Sequence, residues 1–412
     1  MDGAATTADV ALSKNPYPAL AHLRRRGSVL PGEIMSLLGT DLPMTTGLNA
    51  VPGPAFSVFG YDEVREVLRD GETFSSSAYA DAIGQVLGRT ILEMDEPEHR
   101  RYRRLISAAF AGKAVERWRD EVAVPILVEM LEELRGSGTA NLVEALTFPY
   151  PVRVIGRLLG LPDEDREQFH EWAATIVDPA AFEDPNLAAE RDRAMTALTD
   201  FLRRIVADRR RAPRDDITSL LVTAEVEGQR LDDVEIVSFL RLLLPAGAET
   251  TFRSTGNLLF ALLADPPQQR MWRTDPSRSS SAIEEALRWE APIMSIGRVT
   301  TREVRLGPCE LPVGAAVHIS LAAANHDDSV FDDPETYDMT RAARPHLAFA
   351  AGPHTCVGLH LARVEMAVVL ANIFEALPDL RFDAPEATSC HIAGLGFREP
   401  TALPVVWDVG AR

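Results

Sequence analysis

The chain has 412 residues, 46% of them hydrophobic and 25% charged, with a formal net charge of −19. That composition belongs to a globular protein, and the acidity argues against nucleic acid or an anionic membrane as partner. No apolar run approaches the roughly 18 residues of a membrane span, Met1–Ala5 lacks the regions of a signal peptide, and three scattered cysteines give no disulfide framework. A cytoplasmic protein without a membrane partner is expected.

In chain order, a brief strand is expected at Phe56–Phe59, and from Asp62 to Leu287 the pattern is predominantly helical with hardly any strand. Asp95 and Pro97 open a helix on which His99 and Arg103, four apart, share one face. Arg100, Arg101, Arg104 and Lys113 concentrate positive charge there, a pattern that is usually a solvated face.

From about Leu231 to Leu263 the sequence reads as one apolar helix, roughly 50 Å long. Pro245 and Gly247 fall inside it and cost about 3 and 1 kcal/mol relative to Ala, so a kink is expected there. Glu249 and Thr250 follow at once. Glu249 could pair with Arg253 as on any helix face, or be a carboxylate kept for use; spacing alone leaves the two readings even.

A Ser281-x-x-Glu284 capping box starts the next helix, which carries Glu285 and Arg288 at i,i+3. Strand-like alternation runs from Gly297 to Ser320, with turns at Gly307-Pro308 and Val313-Gly314, and recurs at Leu403–Trp407.

Between these lies Phe349-Ala-Ala-Gly352-Pro-His354-Thr-Cys356-Val-Gly358, followed by a helical stretch from Leu359 to Leu377. A thiolate at a helix start is favoured by the free N–H groups and the positive dipole end. Gly352 and Gly358 allow tight turns on both sides and close approach of a flat ligand, and Phe349 shields the sulfur. The assembly suits a haem iron with one axial thiolate. For Cys309 and Cys390 a small apolar role is the better reading.

This run resembles the haem-binding loop of the cytochrome P-450 haem-thiolate monooxygenases, whose bacterial members carry Phe-x-x-Gly-x-His-x-Cys-x-Gly. Ala350 departs from the pattern, where a glycine usually follows the Phe; it stiffens the loop without removing a ligand. The resemblance covers nearly the whole chain, from Asn15-Pro-Tyr-Pro18 to the last strand. It implies a mainly α fold with small β-sheets, one domain over residues 1–412, and haem b on Cys356. It implies that His99, Arg103, Arg298 and His354 meet the haem propionates, and that Glu285, Arg288 and Arg341 form a buried structural triad.

By the same resemblance Ala246-Gly247 opens an oxygen-binding groove, Gly247 making room for O₂, with Thr250 hydrogen-bonding the reduced oxygen and Glu249 relaying protons. The pocket would come from Ser75–Leu92, Phe169–Leu187, Leu243–Thr250 with Ala246, Ile293–Ile296 with Ile293, Met294 and Ile296, and Ala393–Gly396 with Leu395. The first segment has no basic residue until Arg89, and no fixed cation is evident to hold a carboxylate, which implies a neutral lipophilic or modestly polar substrate, hydroxylated or epoxidised in secondary metabolism or catabolism. A ferredoxin would dock on the basic cluster, and the enzyme would act as a monomer. A peroxygenase using H₂O₂ and a non-enzymatic haem carrier or sensor are the alternatives; the intact Glu249-Thr250 pair and the basic face argue against them.

Overall fold

The computed structural model describes residues 6–42, 48, 51–82, 84–110, 112–177, 185–384 and 389–410. The helices that position the site are α1 (Thr7–Lys14), α2 (Tyr17–Arg26), α3 (Tyr61–Arg69), α4 (Glu98–Ser107), α5 (Gly112–Trp118), α6 (Pro149–Leu159), α7 (Pro185–Arg211), α8 (Asp233–Leu243), α9 (Thr250–Ala264), α10 (Ser279–Trp289) and α11 (Leu359–Ala376). The strands are β1 (Val29–Pro31), β2 (Ala55–Val58), β3 (Phe74–Ser75), β4 (Thr139–Asn141), β5 (Ser295–Thr300), β6 (Val304–Leu306), β7 (Cys309–Leu311), β8 (Ala316–Ser320), β9 (Arg381–Phe382), β10 (Ile392–Ala393), β11 (Glu399–Pro400) and β12 (Pro404–Val406).

A five-stranded sheet has the order β1-β2-β8-β5-β3, with β2 and β8 parallel and the other neighbours antiparallel. β4, β12 and β9 form a second sheet, and β6-β7 and β10-β11 are separate pairs. The strands expected near residues 56, 297–320 and 404 are present. β3 and β4, inside the stretch read as helical, are two and three residues long, too short to leave a period in the sequence.

Asp232 caps α8: its carboxylate accepts the Glu235 N–H, and the Glu235 carboxylate accepts the Asp232 N–H. The central helix then runs on through a π stretch, Leu244–Glu249, into α9. Pro245 has no N–H to give, and its ring crowds the carbonyl one turn back. The helix relieves both by widening, so the expected kink is a π segment, a device common at functional sites. α9 is buried on nearly every face, which is why its sequence shows no polar side.

α10 begins at Ser279, two residues before the expected box, with no side-chain cap. The Ser281–Glu284 box is therefore not formed, because Glu284 is drawn to Arg363 and His346 instead. The largest apolar cluster surrounds α6, α8, α9 and α11; a second packs α3 on the five-stranded sheet, and a third holds α2 against Phe59 and Met294. Among the described residues no helix is long and apolar enough to cross a membrane.

Candidate active site

Cys356 lies two residues before Gly358, the N-cap of α11. Its N–H donates to the Phe349 carbonyl at 3.0 Å, closing the loop on itself. Burial pushes the thiol pKa up, while the Gly358 and Leu359 N–H groups and the Arg103 and Arg363 charges oppose it. The helix-end stabilisation expected of this position is present but does not prevail alone. A metal cation bonded to the sulfur would resolve the conflict, since a coordinating thiol is deprotonated outright.

Gly352 has φ +71°, and a Cβ there would collide with the Leu68 carbonyl and lie 2.8 Å from the Arg69 Cα, so only glycine lets the loop press on α3. Gly358 differs from expectation: its φ is −85°, an ordinary value, and a Cβ would sit 4.0 Å from Cys356 Sγ. Its contribution is open space beside the sulfur, not a tight turn. Ala350 has φ +55°, which costs about 1 kcal/mol for a residue with a Cβ.

Behind the loop, the Arg363 guanidinium stands 4.7 Å over the Phe349 ring and donates twice to Glu284, each at 2.7 Å. His346 Nε2 is 3.3 Å from the same carboxylate. Burial alone would raise Glu284, yet these bonds hold its carboxyl at about 2. Sequence reasoning assigned Glu284 only to a cap; no local signal links it to a residue on α11.

His99 is buried, 2% exposed, with its ring 4.1 Å from that of His354. Both ring nitrogens of His99 lack a hydrogen-bond partner; Glu96 Oε1 stands 3.5 Å from Nδ1, a charge contact rather than a bond. Burial, with the charges of Arg298, His99 and Arg103, holds His354 down at about 3. Arg298 is 4% exposed and donates to the Gly297 carbonyl at 2.7 Å. Neither Arg103 nor Arg298 has a carboxylate within ion-pair distance among the described residues.

The four residues expected at one haem edge are thus brought together. Two desolvated cations without counter-ions, beside an unpartnered imidazole, fit an anionic group such as a propionate. Sequence reasoning missed the polar frame around them. Asp95 accepts the Ser76 N–H at 2.9 Å and the Ser75 hydroxyl, Ser76 Oγ is 3.2 Å from His354 Nε2, and Tyr79 Oη accepts the Gly297 N–H at 2.9 Å. Serines in a loop carry no signal that distinguishes them from any other turn.

On the π stretch, Thr250 Oγ1 donates to the Ala246 carbonyl at 2.8 Å. The Glu249–Arg253 pair is formed at 2.7 Å, but on side chains only 12% and 4% exposed, so it is no solvated face. Arg253 also reaches Glu399 on β11 at 2.8 Å and lies between the rings of Phe252 and Phe397, 4.9 and 4.8 Å away. Burial raises the Glu249 pKa and Arg253 works against it. A Cβ on Gly247 would meet Ile155 Cδ1 at 2.9 Å, so this glycine serves close packing on α6.

The two late pocket segments meet: the Met294 N–H donates to the Gly396 carbonyl at 3.0 Å, and Ile293 bridges to Phe397. Ile293 and Ile296 are half-buried. Met294 instead packs with Tyr17, Leu20 and Leu23 in the core, where Leu395 also leans. Of the two earlier segments, residues 83 and 178–184 lie outside the described residues. Glu285 receives Arg288 at 2.7 and 2.8 Å and Arg341 at 3.0 Å, so the expected triad is assembled.

The basic cluster is not a free face. Arg100 pairs with Glu96 at 3.0 Å, Arg101 with Glu235 at 3.0 Å, and Arg104 with Glu227 at 2.7 Å. Only Lys113 of the four is exposed without a carboxylate partner among the described residues. Glu96 is an i,i+4 neighbour of Arg100, but Glu227 and Glu235 come from a loop and a helix start far along the chain, which sequence neighbours do not reveal.

A loop with a cysteine at a helix start, backed by an Arg–Glu clamp and flanked by two arginines without a carboxylate partner among the described residues, defines a haem-thiolate site. The family model described as Cytochrome P450 matches residues 32–277 and 280–383. The chain is 37% identical over 299 residues to Cytochrome P450 107B1 of Saccharopolyspora erythraea, covering 72% of each. It is 36% identical over 347 residues to the Cyclomarin C epoxidase CymV of Salinispora arenicola, covering 82% of this chain and 86% of the other. The crystal structure of CYP109E1 from Bacillus megaterium in complex with testosterone superposes with a TM-score of 0.84 at 30% identity, covering 96% of this chain and 100% of that one.

The chain belongs to the cytochrome P450 family. It is a haem-thiolate monooxygenase, an oxidoreductase whose family carries haem iron on a cysteine thiolate.

Proposed function

We propose that Cys356 is the axial ligand of a haem b and that this single-domain enzyme hydroxylates or epoxidises a lipophilic small molecule. The observation that carries the reading is the sulfur at the N-terminus of α11, raised by burial and held by two N–H groups. When bound, haem supplies O₂ activation, consuming two electrons and two protons to place one oxygen atom on substrate and release the other as water. Arg103, Arg298, His99 and His354 hold its propionates.

Protons reach the reacting oxygen through Glu249 and Thr250. Glu249 takes a proton more readily than a solvated carboxylate because it is buried. Arg253 holds the carboxylate in place between uses, and Thr250 Oγ1, its own proton engaged by the Ala246 carbonyl, keeps its lone pairs for a proton-bearing partner. Ile293 and Ile296 offer the substrate an apolar wall and exclude water. The acid–alcohol pair supports a monooxygenase over a peroxygenase.

The electrons come from a ferredoxin to a monomeric, cytoplasmic enzyme. Its docking face is not the Arg100–Arg104 cluster but Arg69, Lys113 and Arg344, exposed and without carboxylate partners among the described residues. Arg69 adjoins Gly352, α5 packs on α11, and Arg344 precedes Pro345, whose carbonyl takes the Tyr61 hydroxyl at 2.7 Å, so all three flank the thiolate loop. The likeness to an epoxidase and to a steroid-bound structure supports a lipophilic substrate; a role in secondary metabolism or catabolism is part of the same proposal.

The test is spectroscopic. The reduced, CO-bound protein should show the strongly red-shifted Soret band of a thiolate adduct, and Cys356→Ser should abolish it. Retention of that band in Cys356→Ser would overturn the ligand assignment.

A further inference from the structure

Arg89, the arginine of the pocket segments read from the sequence, is exposed and paired with Glu98, so it is not kept for an acidic substrate; the central helix supplies another cation. Arg241 lies on α8, about two turns and 12 Å along the axis before Glu249. It is partly buried where α8 meets α7 and the turn at Gly88. Its Nη1 is 3.4 Å from Thr199 Oγ1 and its Nη2 is 3.2 Å from Ser238 Oγ, both neutral hydroxyls. Its Nε is shut off from solvent with no partner.

No carboxylate stands within ion-pair distance of Arg241 among the described residues. The neighbouring charge is the like charge of Arg203, itself paired with Asp200 at 2.9 Å. The contrast within the molecule is informative. The deeply buried Arg209, Arg253, Arg288 and Arg398 each clasp a carboxylate. Arg103 and Arg298 do not, and they face the haem edge. A desolvated cation kept without a counter-ion destabilises the fold unless its anion arrives as a ligand. Gly88 fits that position: with φ +74°, a Cβ on it would collide with Arg241 Nη2, so the glycine makes the room in which the guanidinium sits.

We propose that Arg241 receives the carboxylate of an amphipathic organic acid, whose apolar body then runs along the central helix towards Thr250. The inference rests on the pocket reading above and deepens it. The acid group is a handle and is not itself changed; the oxygen is placed at the apolar end remote from it, with the electrons, protons and O₂ of the monooxygenase reaction.

The haem-loaded protein would be titrated with dodecanoate and with abietate, each beside its methyl ester, by difference spectra and by calorimetry. Wild type should bind at least one acid roughly tenfold or more tightly than its ester, as a charge-assisted hydrogen bond to a buried guanidinium implies. Arg241→Gln should erase the preference and Arg241→Lys should keep part of it. Without ligand, Arg241→Gln should melt no lower than wild type, because no internal carboxylate partner is lost and glutamine can still donate to the Thr199 and Ser238 hydroxyls. Wild type that prefers neither acid, a preference that survives in Arg241→Gln, or a lowered melting temperature would each overturn the proposal. The CO spectrum of the same preparations separates this from failure of the haem reading: an intact thiolate band with no acid preference removes Arg241 alone.

Discussion

Glu249 and Thr250 are adjacent in sequence, yet their side chains are committed to different partners, one to Arg253 and the other to the helix backbone. Thr250 bonds only to its own helix, and without the Glu249 carboxylate Arg253 still has Glu399, so neither substitution leaves a buried charge unpaired. Thr250→Ala should preserve haem content and substrate affinity while diverting electrons into released H₂O₂, read as product formed per electron consumed. Glu249→Gln should slow turnover by about a hundredfold, the usual scale for a lost proton-transfer group. Unchanged coupling in Thr250→Ala would take that hydroxyl out of the mechanism, and the same measurement on Thr251→Ala then tests whether Thr251 replaces it.

At the level of elements, Glu284 ties α10 to α11 and so sets where the thiolate loop sits. Its carboxyl is held at about 2 against an ordinary 4.5, so its bonds contribute stability that is complete above 4.5 and lost as the pH falls through about 2. The side chain is 37% exposed, and screening limits the gain to about 1 kcal/mol. The difference in melting temperature between wild type and Glu284→Gln should therefore be constant above pH 4.5 and shrink below it. A difference indifferent to pH would mean that Arg363 and His346 position the loop without this carboxylate.

What could be read from the sequence divides along the same line. α11 and the Cys356 run were legible because helix period, glycines and cysteine sit within one short stretch. The π segment was visible only as a weak point, since Pro245 says that a helix must yield but not how. The Glu284 clamp, the pairing of Arg101 with Glu235, and Arg241 facing Gly88 were hidden, because each joins residues remote in sequence. The packing role of Gly247 was hidden for the same reason.

For the whole molecule, a net charge of −19 repels an acidic partner, so association depends on where the few unpaired cations lie. Arg69, Lys113 and Arg344 would steer a ferredoxin over the Debye length, about 8–10 Å near physiological salt. Reduction by ferredoxin should slow as salt rises, and reduction by a small neutral dye should not. Lys113→Glu should weaken the ferredoxin reaction while leaving substrate binding alone. Arg104→Glu should have less effect, since Arg104 already answers Glu227. Equal effects of the two substitutions would restore the α4 cluster as the docking face.

Arg253 joins two parts of the chain that separate selection pressures would otherwise tune apart. Phe397 and Glu399 belong to the terminal hairpin proposed to shape the pocket, and Glu249 to the proposed proton path, yet one guanidinium answers to all three. Any remodelling of that hairpin to admit a different molecule alters the field in which Glu249 releases its proton. A shift in substrate preference made there carries a shift in electron economy with it, so the range of molecules this enzyme can come to accept is bounded by chemistry as well as by space.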